Sequence, residues 1–373
     1  MEIHRERNSC WRPMRAGYAK MKTVFLLILL AQLLALIYFV LTWGGTKYSN
    51  FLETPIHGTL KIHRRNSALT SSIFDTIYQY YQRLIDLNDF YFTIINPEAC
   101  NAPVFLLVLV SSAANHLHHR HIIRTTWKQH RTGIKIIFVL GKIQDIILQR
   151  DIMKESDVYG DVIQGNFLDT YRNLTYKTMS AFKYMLYHCK KASYVLKIDD
   201  DDFVNMPLLL NFLKNDLSVS GTDNLFICNH LTGYRVNRNV SSKWYVSEMD
   251  LSDDFYPSYC AGWYVLLSPD VLFRLYETTQ KLKYISVDDA LIYGYAREKC
   301  NLVHTDFTRF TREYSELELG FNGTYDSLPL LFGGPNMSSE QIKKFWLYFR
   351  SRPVLKSLRD EEKSRTKVLS KNL

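Results

Sequence analysis

The sequence predicts an α/β domain with a mainly parallel sheet, preceded by one N-terminal transmembrane helix. From residue 102 onward, short apolar segments alternate with longer segments of helical periodicity, which is the pattern of an α/β protein. The apolar segments are hydrophobic at nearly every position, as expected for strands covered on both faces. Near the N-terminus, one uncharged segment is long enough to cross a bilayer.

The membrane segment is "TVFLLILLAQLLALIYFVLTW", residues 23–43, which carries no charge. As a helix it spans roughly 31 Å, about one bilayer core, and it exceeds the apolar region of a cleaved signal peptide. Six Lys or Arg residues precede it, whereas two, Lys47 and Lys61, follow within the next 20 residues. The positive-inside rule therefore predicts a cytosolic tail over 1–22, a signal anchor over 23–43 and a type II orientation.

Two features beyond the anchor fit a lumenal fate. The acceptor pattern for N-glycosylation, Asn-x-Ser/Thr, occurs at Asn173, Asn239, Asn322 and Asn336. Five cysteines lie in the same part, at Cys100, Cys189, Cys228, Cys260 and Cys300. An oxidising compartment permits disulfides among them, but since five is odd, at least one is free or bridges another chain. The absence of a Cys-x-x-Cys motif argues against a zinc site.

The chain is predicted to continue with a lumenal stem over residues 44–100, a folded domain over 101–335 and a basic C-terminal segment over 336–373. Within the domain, strands are expected at 102–112, 134–141, 160–165 and 192–198, with helices at 118–130, 143–157 and 169–189. Ligands of such sheets bind outside the carboxyl ends of the strands.

The net charge of +9 is concentrated at the two ends of the chain. That distribution indicates solvated or membrane-proximal tails. A nucleic-acid-binding domain would interleave basic and aromatic residues on one face of its folded part, and the sequence shows no such stretch. No nucleic-acid partner is therefore expected.

The most informative stretch is "LKIDDDDFVN", residues 196–205, in which four aspartates follow an apolar strand. One or two aspartates would suggest a solvated turn or a helix N-cap. Four in succession repel one another unless a divalent cation binds their oxygens. Carboxylates suit Mg²⁺ or Mn²⁺, and a cation held by few protein oxygens keeps positions for a diphosphate. The residues alone leave both interpretations open.

Several blocks around this stretch occur together in a fixed order. They are "RHIIRTTW" (120–127), "FVLG" (138–141), "YGDVIQGNFLDTYRNLTYKT" (159–178), "VLKIDDDDFVN" (195–205), "KWYVSEMDLSDDFYPSYCAGWYVLLSPDV" (243–271) and "VDDALIYG" (287–294). In this order they resemble the β1,3-galactosyltransferase and β1,3-N-acetylglucosaminyltransferase family, glycosyltransferase family 31. The resemblance covers roughly residues 103–305.

The resemblance implies a GT-A-type nucleotide-sugar-binding domain in a type II Golgi membrane protein. It also implies a metal-dependent, inverting transfer of a hexose from a UDP-sugar to a glycan, glycoprotein or glycolipid acceptor in β1,3 linkage. The metal would be Mn²⁺ or Mg²⁺. Asp201 is then the expected metal ligand and His304 a further ligand, while Asp199 and Asp200 face the ribose or order the metal's water.

An inverting transfer needs one carboxylate base for the acceptor hydroxyl, and the resemblance offers Asp288 and Asp289. The family places the base in the second acidic position, which favours Asp289. Gly294, however, lies one residue farther along than usual, and an alignment on that glycine makes Asp289 the first acid and Ala290 the second. Two carboxylates at a helix start also complement the helix dipole, which is the alternative interpretation.

The resemblance assigns further residues to the two substrates. Those expected near the donor are Arg120, Arg124, Lys177 and Gly262. Tyr259 and Trp263 are expected to stack on acceptor sugars. Surface charge on amphipathic helices is the alternative for the basic residues, and plain packing is the alternative for the aromatic ones.

Three positions depart from the family pattern: Asp202 where an apolar residue is usual, Ile198 where Thr is common, and Trp263 where a small residue is frequent. They leave the donor sugar open among galactose, N-acetylglucosamine and N-acetylgalactosamine. A second hypothesis is a non-catalytic Golgi chaperone or glycan-binding relative with the same fold. The intact acidic run and the late acid pair favour the enzyme.

Overall fold

The structure, a computed structural model, describes residues 81–127, 132–217, 223–319 and 330–350. The predicted cytosolic tail, the signal anchor at 23–43, most of the predicted stem and Asn322 lie outside these ranges. Within them, no helix combines the length and the apolar composition needed to cross a membrane.

An eight-stranded sheet forms the centre of the described part, in the order β1-β4-β3-β2-β5-β8-β7-β9. A second, three-stranded sheet has the order β10-β11-β6. The strands are β1 (Phe92–Ile94), β2 (Val104–Ser111), β3 (Ile134–Lys142), β4 (Val162–Leu168), β5 (Ala192–Asp199), β6 (Phe203–Val204), β7 (Phe226–Leu231), β8 (Tyr259–Leu267), β9 (Thr305–Asp306), β10 (Thr311–Arg312) and β11 (Phe332–Gly333).

The core of the large sheet is parallel, because β2 pairs in parallel with both β3 and β5, and β3 pairs in parallel with β4. β8 runs antiparallel to β5, and β7 antiparallel to β8. The predicted α/β class with a mainly parallel sheet is confirmed. The carboxyl ends of β2, β3, β4 and β5 therefore share one edge of the sheet, and the amino end of β8 meets them there.

Helices follow the strands along the chain. They are α1 (Leu117–Thr126), α2 (Ile146–Tyr159), α3 (Leu174–His188), α4 (Met206–Asn211), α5 (Pro269–Thr279), α6 (Asp288–Ala290), α7 (Arg297–Lys299), α8 (Tyr314–Leu319) and α9 (Ser339–Arg350). α6 continues into α7 through a π-helical segment, Leu291–Ala296.

Local signals in the sequence set the ends of α2. The side chain of Asp145 accepts hydrogen bonds from the backbone N–H groups of Ile147 and Leu148, which have no partner inside the helix. Gly160 ends the helix at a φ of +61°, where a side chain would be strained. The chain turns at this glycine, and β4 begins two residues later, at Val162.

The apolar character of β2 follows from its central place. Leu106, Val108 and Val110 contribute to the hydrophobic cluster on one face of the sheet, and Leu107 and Leu109 to the cluster on the other. All five side chains are fully buried. At about 1.5–3 kcal/mol for each buried aliphatic side chain, this strand is a main source of the domain's stability.

The folded domain extends beyond the predicted limits of 101 and 335. On the N-terminal side, β1 pairs antiparallel with β4, and Leu84 and Phe90 are fully buried. On the C-terminal side, α9 inserts Ile342 and Phe345 into the core. A three-residue strand and one amphipathic helix within a basic segment give weak signals in the sequence.

Two disulfides cross-link parts of the chain that are distant in sequence. Cys100 pairs with Cys189, which joins the chain before β2 to the end of α3, and Cys228 pairs with Cys260, which joins β7 to β8. Cys300 has no disulfide partner. The odd count therefore resolves into two bridges and one free thiol.

Candidate active site

The four aspartates lie at the shared edge formed by the carboxyl ends of the parallel strands. Asp199 is the last residue of β5 and stands opposite Ser111, the last residue of β2. A turn follows, and the chain leaves it through the short strand β6. The sequence expectation that the run terminates a buried strand is met.

Asp200 points into the protein and is satisfied there. Its carboxylate accepts hydrogen bonds from Ser112 Oγ at 2.6 Å and contacts His116 Nδ1 at 3.0 Å. This contact raises the pKa of His116. Because these partners belong to the segment that follows β2, Asp200 fixes that segment against the aspartate turn.

The other three aspartates form a compact oxygen cluster. Asp199, Asp201 and Asp202 each offer a carboxylate oxygen, and these oxygens all lie within 4.8 Å of one another. Burial, and then the charge of Asp200, raises the pKa of Asp201. Asp202 is only 1% exposed, and neither of its carboxylate oxygens has a hydrogen-bond partner among the described residues.

Such a cluster fits a divalent cation. Two ligands of a small divalent ion at 2.1 Å are at most roughly 4.2 Å apart. The upper limit of 4.8 Å on the separations of the three oxygens lies close to that value. Hard oxygen ligands suit Mg²⁺ and Mn²⁺. A buried carboxylate without a partner is costly unless a cation compensates it.

Lys197 is a buried ammonium that connects the aspartate run to β8. It shares one face of β5 with Asp199, and its Nζ contacts Asp199 Oδ1 at 2.7 Å and donates to the carbonyl oxygen of Gly262 at 2.5 Å. Burial lowers the pKa of Lys197, but the nearby carboxylates outweigh this effect and raise it. No role is predicted for this lysine from the sequence, although its i, i+2 spacing to Asp199 is a signal that places both side chains on one face of a strand.

Gly262 lies in a bulge of β8. Cys228 of β7 pairs with Val265, whereas the next residue, Asn229, pairs with Ala261, so residues 262–264 have no counterpart on β7. A Cβ atom at Gly262 would lie 1.8 Å from Asp289 Oδ1. The glycine is therefore needed because the carboxylate of Asp289 occupies the space beside it.

Asp289 lies beside Gly262 at the start of α6 and stays partly exposed. The space between Asp289, Gly262 and the aspartate run is the candidate cleft. Loss of solvation, and then the charge of Asp288, raises its pKa well above the ordinary carboxyl value, while Lys197 opposes the shift. Asp288 is buried and accepts a hydrogen bond from Thr178 Oγ1 at 2.7 Å. The two adjacent acids thus differ: Asp288 anchors the helix start to α3, and Asp289 faces the cleft.

Arg120 and Arg124 are held by buried ion pairs beneath this edge. Arg120 donates to both carboxylate oxygens of Glu155, at 2.9 and 2.8 Å, and to Ser112 Oγ at 3.0 Å. Arg124 forms a bidentate pair with Asp161, at 2.9 and 2.7 Å. Both guanidinium groups therefore shape the loops around the cleft through protein contacts.

Lys177 has a comparable position. Its ammonium is 2.7 Å from Asp169 Oδ1 and donates to the carbonyl oxygen of Ser112 at 2.8 Å. The lysine is only 4% exposed. It therefore bridges the chain after β4 and the chain after β2, and it positions the segment that holds Asp200.

His304 lies beside His230, with ring centroids 4.4 Å apart, just before β9. Burial, and then His230, lowers the pKa of His304 to about 4. Among the described residues, the carboxylate cluster of Asp199, Asp201 and Asp202 does not include this histidine. The expected role of His304 as a metal ligand stays a prediction.

The two predicted acceptor residues pack into the protein to different degrees. Tyr259 is 7% exposed and contacts Tyr234 and Tyr256 edge to face. Trp263 is partly buried and packs edge to face on Tyr264.

More exposed aromatic side chains line the same region. Tyr171 is 42% exposed, and Trp244 is 50% exposed. Burial, and then the charges of Asp289 and Asp288, raises the pKa of Tyr171 to about 12, which marks its proximity to the acid pair. Neither residue is predicted as a site residue from the sequence, although both lie within the blocks that resemble the family pattern.

The predicted glycosylation sites in the described part lie outside the core. Asn239 and Asn336 are exposed, and Asn173 is partly exposed with its side chain donating to the carbonyl oxygen of Leu168 at 2.8 Å.

Comparison with known proteins identifies the family. The profile of the galactosyltransferase family matches residues 118–308, more than half of the chain. The chain therefore belongs to the galactosyltransferase family, and the resemblance inferred from the sequence is confirmed. The matched range includes the aspartate run, Gly262 and the acid pair.

Several individual relatives are similar over this region. The chain is 34% identical over 220 residues to beta-1,3-galactosyltransferase 1 of Mus musculus and of Homo sapiens, covering 56% of this chain and 65% of each relative. It is 34% identical over 209 residues to beta-1,3-galactosyltransferase 5 of Pan troglodytes, covering 54% of this chain and 67% of the relative. The aligned part thus spans about two thirds of the relatives' length or slightly less.

A solved structure of the galactosyltransferase LgtC in complex with donor and acceptor sugar analogs is also similar, at 10% identity and a TM-score of 0.34. The similarity covers 67% of this chain and 98% of that structure. Similarity at this level is too low to support a conclusion about function.

Proposed function

We propose that the protein is a metal-dependent, inverting glycosyltransferase that moves galactose or an N-acetylhexosamine from a UDP-sugar to an acceptor glycan in β1,3 linkage. The observation that carries the proposal is the convergence of two acidic groups on one cleft. Lys197 contacts Asp199 and the Gly262 carbonyl, and the space beside Gly262 is filled by Asp289. Family membership supports the GT-A-type assignment and the β1,3-linked product.

Mn²⁺ or Mg²⁺ would be held at the aspartate run, with Asp201 as the expected ligand, where carboxylate oxygens are clustered. When bound, such an ion stabilises the negative charge that develops on a departing diphosphate. Lys197 lies beside this cluster, and its positive charge partly offsets the negative charge of the carboxylates.

Asp289 is proposed to act as the base. As the acceptor hydroxyl oxygen bonds to the anomeric carbon, the bond from that carbon to the diphosphate oxygen breaks, and its electron pair leaves with UDP. The hydroxyl proton passes to the carboxylate of Asp289. A raised pKa suits this role because a base works best when its pKa approaches the working pH.

The surrounding basic residues are proposed to organise the cleft through their protein contacts. Arg120 and Lys177 both bind the segment after β2, at Ser112, and that segment holds Asp200. The exposed rings of Tyr171 and Trp244, near the acid pair, offer apolar surfaces for sugar rings of the acceptor.

We also propose a type II Golgi membrane protein with a lumenal catalytic domain. The apolar segment at 23–43, the two disulfides and the exposed acceptor asparagines Asn239 and Asn336 support this proposal. In cells, an endoglycosidase should reduce the apparent mass of the protein, and Asn239→Gln should remove part of that reduction. A protein that never carries N-glycans would contradict the lumenal orientation.

The activity is tested by measuring UDP release from a panel of UDP-sugars by the detergent-solubilised full chain, with simple glycosyl acceptors and with or without Mn²⁺. We expect metal-dependent turnover of one donor, and its loss in Asp201→Ala. Asp157→Asn, an exposed charge on α2, serves as the matched control and should retain full turnover. Metal-dependent UDP binding without turnover of any donor would point to an acceptor missing from the panel, whereas no UDP binding would favour the non-catalytic chaperone or glycan-binding alternative.

A further inference from the structure

The fourth aspartate, Asp202, differs from its neighbours in how it is buried. Its side chain is 1% exposed, yet both carboxylate oxygens lack a hydrogen-bond partner among the described residues. Asp200, in contrast, has two partners. Burial of an unpaired carboxylate is strongly unfavourable, so this group either takes up a proton or binds a cation.

The surroundings of Asp202 are shaped around its carboxylate. β6, which follows Asp202 directly, pairs antiparallel with β11, and this pairing brings Gly334 against the aspartate. A Cβ atom at Gly334 would lie 2.0 Å from Asp202 Oδ1. The absence of a side chain at position 334 therefore leaves the space that the carboxylate fills.

The same carboxylate belongs to the oxygen cluster. One oxygen of Asp202 lies within 4.8 Å of one oxygen each of Asp199 and Asp201. The three acidic oxygens, of which that of Asp202 is buried and unpartnered, therefore lie close enough together to surround one ion. An apolar residue at position 202, usual in the family pattern, would leave two.

We propose that Asp202 is a direct protein ligand of the divalent cation, so that three carboxylates hold the ion and it binds before any nucleotide arrives. This inference rests on the proposed metal-dependent function and adds a ligand specific to this chain. Three carboxylates place more negative charge around the ion than two, and cation affinity rises with the number of charged ligands.

An alternative is that Asp202 is a neutral carboxylic acid used only for packing. A neutral acid carries an O–H group that needs an acceptor, and the described residues provide none for either oxygen. A cation at the cluster compensates the charge of this group and those of the two neighbouring carboxylates at once.

The test measures Mn²⁺ binding to the full chain without nucleotide, from the loss of the free-ion signal in electron paramagnetic resonance. The variant Asp202→Asn keeps the size of the side chain and removes its charge. We expect wild-type protein to bind one Mn²⁺ and the variant to bind roughly tenfold or more weakly. Asp157→Asn should bind as the wild type does.

A second readout is thermal unfolding in Mn²⁺ and in EDTA. Ligand binding to the native state raises Tm, so Mn²⁺ should raise Tm of the wild type more than that of Asp202→Asn. If Asp202→Asn folds poorly, Asp202→Ser provides the same comparison. Equal Mn²⁺ affinity in wild type and variant would overturn the proposal.

Titration of the protein with Mn²⁺ in the presence of UDP distinguishes a failure of the Asp202 proposal from a failure of the proposed metal-dependent function. If the wild type binds Mn²⁺ only with UDP, and Asp202→Asn does so equally well, the third ligand is refuted while the proposed function stands. If neither protein binds Mn²⁺ even with UDP, the metal-dependent function itself fails, and the inference fails with it.

Discussion

Asp289 and Asp288 are adjacent acids in different surroundings, and this difference decides when Asp289 can accept a proton. Loss of solvation raises the pKa of Asp289, and the charge of Asp288 raises it further. A base is active only when deprotonated. A raised pKa therefore moves the loss of activity on acidification to a higher pH than an ordinary carboxyl group would give.

The variant Asp288→Asn is predicted to shift the acid limb of the kcat/KM profile to lower pH. The amide removes the charge that raises the pKa of Asp289 but can still accept the hydrogen bond from Thr178. The check is the pH profile of UDP release for wild type and variant. An acid limb that stays in place would mean that Asp288 does not influence the base.

At the level of single residues, the sequence supported the acidic run and the acid pair as candidates because their clustering opposes ordinary electrostatics. The sequence did not reveal which acids have ionic or hydrogen-bonding partners within the protein. Arg120 meets Glu155, 35 positions away, and Asp200 meets Ser112, 88 positions away. Such partners depend on the pairing of strands and helices, and periodicity carries no information about them.

At the level of elements, the bulge in β8 connects the sheet to the chemistry. Residues 262–264 have no counterpart on β7, so the backbone of Gly262 turns away from the ladder and its carbonyl accepts from Lys197. The bulge and the start of α6 thus meet at one point, where Asp289 packs against the glycine.

The variant Gly262→Ala is predicted to lose roughly 10²-fold in turnover, because its methyl group would displace the Asp289 carboxylate from the cleft and a shift of about 1 Å has that effect. The fold should survive, since the clash is with one side chain. UDP release and Tm measured together check this. Asp157→Asn, which changes an exposed side chain on α2, is the control and should keep both turnover and Tm. Full activity in Gly262→Ala would contradict the proposed placement of the base.

Long, apolar elements were predictable from the sequence, and short ones were not. β2, β3 and β5 lie inside or close to their predicted ranges because burial on both faces makes them hydrophobic throughout. β6 and β11 have two residues each and form through their pairing in the three-stranded sheet that also contains β10. These short strands place Gly334 against Asp202, so the most specific feature of the site rests on elements without a sequence signature.

At the scale of the whole molecule, the described part is a domain closed by two disulfides. Cys100–Cys189 spans 89 residues and ties the N-terminal segment to α3. Cys228–Cys260 joins β7 and β8, the two strands that differ in register at the bulge. The sequence predicted that disulfides are possible but not their pairing, because the pairing depends on strand order.

Alkylation of the denatured, unreduced protein is predicted to modify Cys300 and to spare the four paired cysteines, as read by peptide mass spectrometry. The double variant Cys100→Ser/Cys189→Ser should lower the free energy of unfolding by roughly 2–4 kcal/mol, since a long loop is released in the unfolded state. Alkylation of Cys100 or Cys228 in the denatured, unreduced protein would contradict this pairing.

The central claim is that the cleft at the carboxyl edge of the sheet transfers a sugar with inversion, with Asp289 as the base. The most direct measurement is the anomeric configuration of the product, determined by proton NMR after reaction of an α-linked UDP-sugar, for wild type and for Asp289→Asn. We predict a β-linked product from the wild type and no product from the variant, with UDP binding retained in both. An α-linked product, or a variant that turns over at the wild-type rate, would contradict it.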